Sequence, residues 1–133
     1  MSNKAHHHLL ARSEQTRVVS FSWLCNNASN PDPASFVGEG VLSVTKTANA
    51  GEFEVTLDDT YARVVNIIGA KSSDGAEPAA AYDFHFPDAP ATIPTTGKFL
   101  VEYRQNGAGV NRTAANNVRI GFTLIALNRV RGV

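Results

Sequence analysis

The residues of this chain that could do chemistry are few and scattered. His6, His7 and His8 stand together, and imidazoles of this kind bind transition metals. Adjacent histidines in a polar, aperiodic segment do not converge on one ion without further ligands. His85 lies between Phe84 and Phe86 at strand spacing, which makes it an outward polar position. Cys25, the only cysteine, would become a nucleophile if the fold brought a histidine to it. It continues the alternating apolar series Val19, Phe21, Trp23, where a thiol packs as a small hydrophobe. Asp58 and Asp59 place two carboxylates side by side, but neighbours in a strand-ending turn point to different sides and bond nearby backbone. The glycines of "GAG", Gly107 to Gly109, lack the strand–loop–helix context of a phosphate loop. The expectation is a protein that is not an enzyme, with no catalytic, cofactor-binding or metal-ligating residues.

The elements around these residues read as strands. In "EFEVTL", Phe53, Val55 and Leu57 alternate with Glu52, Glu54 and Thr56, the period of a sheet with one buried and one wet face. Leu42, Val44 and Lys46 share one face of the preceding strand, and "TANAG" links the two as a hairpin. "RVVSFSWLC", "YDFHF", "KFLVEYRQ" and "VRIGFTLIAL" alternate in the same way, with Tyr82, Phe84 and Phe86 inward in the second. "RVVNIIGAK" is apolar almost throughout and predicts a central strand. Phe53, Val55, Leu57, Val101, Ile120 and Phe122 are expected buried, and Glu52, Glu54 and Glu102 exposed. "PDAPATIPTTG" holds three prolines and predicts an irregular surface connection. "NGAGVNRTAANN" predicts a flexible hairpin loop. "PAAAYD" and "RTAANN" are too short for stable helices. The fold expected is all-β: a compact antiparallel β-sandwich, jelly-roll-like or barrel-like, of about seven to eight strands. It spans residues 17–133, behind an extended N-terminal arm at 1–16.

Length and composition agree. The chain has 133 residues, one domain's worth, of which 43% are hydrophobic. "MSNKAHHHLLAR" has no apolar core for a signal peptide, and no run of ~18 apolar residues follows. The expectation is a protein made in a cytoplasm and not embedded in a membrane. Net charge is zero, yet residues 36–60 carry five acids against Lys46, and residues 98–133 carry six bases against Glu102. Arg104 and Arg119 fall on the polar faces of separate strands and no RNA-binding signature accompanies them, so nucleic acid is not the expected partner. Complementary patches meeting between subunits or partners are the expected use of the gradient.

The run "GEGVLSVTKTANAGEFEVTLDDTYARVVNI" resembles small β-sandwich structural proteins of tailed bacteriophages. Related hairpins occur there in capsid decoration (cement) proteins and in fibre or spike tips. The likeness covers residues 36–70 and the last strand, "VRIGFTLIAL". It implies a virion component, assembled in a host cytoplasm, that docks on the head surface and stabilises the shell as a homo-oligomer, a trimer. The major capsid protein or another virion protein would be its partner. The alternative is a tail, fibre or spike component with a receptor- or carbohydrate-binding sandwich. Such a site uses exposed aromatics, and with Trp23 on an apolar face only Tyr61, Tyr82 and Tyr103 are left for it. Assembly contacts are expected from His6, His7, His8, Leu9, Leu10 and Arg12 in the arm. Arg129 and Arg131 near the C-terminus are expected to face acids such as Glu39, Asp58 or Asp59 of a partner.

Overall fold

A computed structural model describes residues 14–73, 81–112 and 118–129. Strand β1 (Glu14–Leu24) runs into a loop with a single 3-10 turn at Pro33–Ser35, followed by β2 (Val37–Gly38). Then come β3 (Val41–Lys46), β4 (Glu52–Leu57), β5 (Arg63–Ser72) and β6 (Tyr82–His85). Helix α1 (Ala89–Thr96) precedes β7 (Lys98–Gln105), β8 (Ala108–Gly109) and β9 (Arg119–Arg129). Sheet one has the order β2-β1-β9-β5, and sheet two the order β3-β4-β7-β6 with β8 added to β7. All pairings are antiparallel. The molecule is an all-β sandwich.

The core is the meeting of two period-two patterns. Phe21, Trp23, Ile120, Phe122 and Leu124 from sheet one face Phe53, Val55, Phe99, Val101 and Tyr103 from sheet two, and all are buried. Aromatic rings bridge the sheets: Phe99 meets Phe122 edge-on with centroids 5.0 Å apart, and Trp23 lies 5.3 Å from Phe53. The six residues expected to be buried are so, because strict alternation gives each strand one possible inward face.

Several expectations are corrected. Glu52 is on the outer face, as its phase requires, but it is buried. The β3–β4 loop folds over it, so that Thr47 Oγ1 and Asn49 Nδ2 both donate to its Oε1, at 2.8 and 3.0 Å. Glu54 and Glu102 are half-buried among cross-strand neighbours rather than exposed. A register shift between Val41 and Ser43 turns Val41 toward the core and leaves Leu42 69% exposed. Period two thus breaks at one bulged residue. Tyr82 is exposed at the end of its strand, while Phe84 and Phe86 pack against the core.

"RVVNIIGAK" forms the edge of sheet one rather than its centre. One phase, Val64 and Ile67, packs against the core, and the other remains uncovered. The proline-rich connection contains helix α1. Pro90 falls in its first turn, where a missing N–H costs no bond, and Gly97 ends it in the left-handed region with its N–H on the Ile93 carbonyl. Thr92, Thr95 and Thr96 donate back to carbonyls one turn earlier, and Ala89 and Ile93 are buried. Part of the expected flexible loop is ordered: Asn106 and Gly107, both with positive φ, make a tight turn that returns β8 onto β7. Strand β1 begins at Glu14, paired with Arg129, so residues 14–16 belong to the sheet rather than to an arm. Residues 1–13 lie outside the described part, as do 74–80, 113–117 and 130–133.

Candidate assembly surface

The two outer faces differ in chemistry because their strands differ in the outward phase. On sheet two that phase supplies Asp83, His85, Lys98, Glu102, Arg104 and Glu54. Arg104 Nη2 sits 3.2 Å from Asp83 Oδ2, and Nη1 lies 3.7 Å from Glu102 Oε1. His85 Nδ1 is 3.7 Å from the same Glu102 oxygen. Glu52 and Glu102 are register partners, so two carboxylates oppose each other across β4 and β7. Like charges directly opposite repel, and the hydroxyl and amide on Glu52 and the Arg104 cation beside Glu102 offset this. This is a solvated, charge-paired face.

The outward phase of sheet one is built from Thr16, Val18, Ser20 and Ser22 on β1, Arg119, Gly121, Thr123, Ile125 and Leu127 on β9, and Arg63, Asn66, Ile68, Ala70 and Ser72 on β5. Val18 pairs in register with Ile125, and Thr123 stands between Ser20 and Ile68. Ser20 Oγ and Thr123 Oγ1 are 3.1 Å apart, so the hydroxyls satisfy each other across the strands. Four of the six exposed large hydrophobic residues among those described lie on strands of this sheet: Val18, Val37, Val65 and Ile68. The charged side chains described on this phase are Arg63, opposite Leu127, and Arg119, one at each end. At one end Arg119 donates from Nη1 to Ser22 Oγ at 3.1 Å and to the Ser35 carbonyl at 2.8 Å, which holds the cation against the sheet. Contiguous exposed apolar surface of this kind marks an interaction site more often than a bare surface.

The expected chemical groups are dispersed. Cys25 is buried beneath this sheet, and its backbone N–H donates to the Val118 carbonyl. His85 is exposed and serves the charge-paired face. Asp58 and Asp59 are exposed in the turn after β4, with the Thr60 N–H on Asp59 Oδ1 at 2.8 Å. The fold brings Glu39, Asp58 and Asp59 to one depression, walled also by Arg17 and Tyr61. Among the described residues no group of three His, Cys, Asp or Glu could hold a metal, and no helix is long and apolar enough to cross a membrane. His6, His7, His8, Leu9, Leu10, Arg12 and Arg131 lie outside the described residues. Arg129 is the last residue of β9, opposite Glu14.

The acidic depression has a measurable consequence at Tyr61. Burial pushes its phenol above the ordinary value of 10.0, Asp59 and Asp58 push it further, and Arg17 pulls it back. A raised folded value means that the unfolded chain loses this proton first as pH rises. The contribution to stability is therefore whole below pH 10 and falls as pH climbs from there through the Tyr61 value. We expect Tyr61 to contribute a late step to an ultraviolet alkaline titration, and Tyr61→Phe to remove that step. A late step that survives the substitution would assign it elsewhere.

Sequence reasoning missed the apolar outer face of sheet one. Its signal was present at Val18 and Ile125, aliphatic residues on the phase that the strand pattern assigns to solvent. No protein family, curated protein or solved structure matches this chain.

Proposed function

We propose that this chain is a non-enzymatic virion structural protein, a capsid decoration protein that docks on the head surface and works as a homo-oligomer. The observation that carries the reading is the difference between the two outer faces. A sandwich with a charge-paired face and a largely apolar one is suited to sit between solvent and another protein surface. The apolar face offers area for association between copies, and the salt-bridged face suits the exterior of a particle. The bacteriophage likeness of the hairpin at residues 36–70 supplies the type of assembly. Arg12 and the other residues ahead of β1 are assigned to contacts with the shell.

The test is binding of the purified chain to phage heads that lack their decoration protein. Full-length protein should co-sediment with such heads and raise their resistance to heat. Deletion of residues 1–12 should weaken this binding while leaving the thermal midpoint of the free protein nearly unchanged, because β1 begins at Glu14. Equal binding by both forms would remove the role of the N-terminal residues. Absence of binding by the full-length protein would remove the decoration reading.

A further inference from the structure

We propose that the outer face of sheet one is covered by a second copy of this chain, packed face to face about a two-fold axis. The inference builds on the assembly reading above and names the partner of that face. Three observations select a copy of the same chain over a different protein. The first is charge. Its three central rows, from Val18–Ile125–Asn66 to Ser22–Gly121–Ala70, carry no charged side chain, while Arg119, held to Ser22 and Ser35, and Arg63 stand at opposite ends. The uncharged centre of such a face meets its own image without like-charge repulsion, whereas a partner chosen by charge would be drawn to the opposite sheet.

The second is shape. The face has a raised part and a hollow at equal distances from its middle. Val18 and Ile125 are register partners two residues to one side of the Ser20–Thr123–Ile68 row. Ser22, Gly121 and Ala70 are register partners two residues to the other side, and with no side chain at Gly121 they form the floor of a depression of about 270 Å³. A two-fold axis lying across the strands at the Thr123 row exchanges the two sides. It sets Ile125 of each copy over Gly121 of the other, and Val18 over Ser22. Aliphatic anchors seated in a pocket are what central interface contacts require. The expected trimer would need two different patches, while a face that fits itself closes at two copies.

The third is area. Three long strands at ~4.8 Å spacing and ~3.3 Å per residue cover roughly 15 by 33 Å, or about 500 Å² on each copy. The pair therefore buries on the order of 1,000 Å² in total, the size that a specific interface must reach. Face-to-face sheets stack ~10 Å apart, with strand directions within about 30° of each other. At that geometry Thr123 of the central strand lies opposite its own counterpart.

Light scattering on the full-length chain, without particles, reads the assembly directly. The expected mass is twice that of one chain. Ile125→Asp and Val18→Asp should return it to the single-chain mass with the melting transition retained, and Leu42→Asp on the other sheet should leave the pair intact. Thr123→Cys should form a covalent dimer on mild oxidation, and Thr45→Cys on sheet two should not, which decides the matter even if an aspartate variant fails to fold. A monomeric full-length chain overturns the proposal. So does a dimer that withstands Ile125→Asp and does not cross-link through Thr123→Cys. A dimer that fails to bind phage heads keeps this interface and removes the virion reading. A monomer that binds them does the reverse.

Discussion

Trp23→Ala should lower the stability of this protein by ~3–5 kcal/mol, the range for emptying a buried large aromatic site. The indole is fully buried, and its ring lies 5.3 Å from Phe53 of the opposite sheet and 6.5 Å from Phe122 of its own. Its removal leaves a void between two sheets whose backbones are fixed by their ladders, so the site cannot collapse. At roughly 3 °C or more per kcal/mol for a domain of this size, the thermal midpoint falls by at least ~10 °C. Trp23→Phe should cost much less. The indole Nε1 has no hydrogen-bond partner among the described residues. A buried unmet donor costs ~1–3 kcal/mol, and its removal offsets part of the lost volume. Calorimetry on the two variants checks both claims. If Phe costs as much as Ala, the indole nitrogen has a partner.

Gly121→Val should be the second large loss, about 3 kcal/mol, at the upper end of overpacking effects. A Cβ at this position overlaps the Phe21 carbonyl oxygen and comes within 2.7 Å of Ser22 Cβ. The obstacle is the backbone of the neighbouring strand rather than the tip of a flexible side chain, so β1 and β9 must move apart where they hold the sheet together. Thr123→Val, two residues on and on the same face, loses the hydroxyl contact with Ser20 but keeps the side chain's shape, and should cost ~1 kcal/mol or less. Urea unfolding of the pair gives the comparison. Equal midpoints would show that the strands accommodate a side chain at residue 121.

The hairpin and most of the core were legible in the sequence because alternation is local. Phe53, Val55 and Leu57 cannot all face inward in a helix, and Glu52 and Glu54 follow on the other side of the same strand. Burial of Glu52 was not legible, since the loop that covers it had to be folded back by the chain before Thr47 and Asn49 could reach its carboxylate. Helix α1 was hidden by composition. Its eight residues include two prolines and three threonines, and it forms where Ala89 and Ile93 find a buried seat and Gly97 closes the last turn. Intrinsic propensity is a weak guide where tertiary contact supplies the stabilisation.

The candidate surface divides along the same line. By itself the sequence determined which residues share a face on each strand, because side-chain direction follows from period two alone. It also determined that His85, Cys25 and the paired aspartates stand in unrelated strands and turns. Tertiary structure decided which strands are neighbours, since β1 pairs with β9 from the far end of the chain and β5 takes the edge beyond it. An apolar run such as "RVVNIIGAK" reads the same in a central strand covered on both sides and in an edge strand with one bare face. Only the order of strands in the sheet left Val18, Ile68 and Ile125 together on an outer face, because coverage depends on partners distant in the chain and not on the strand itself.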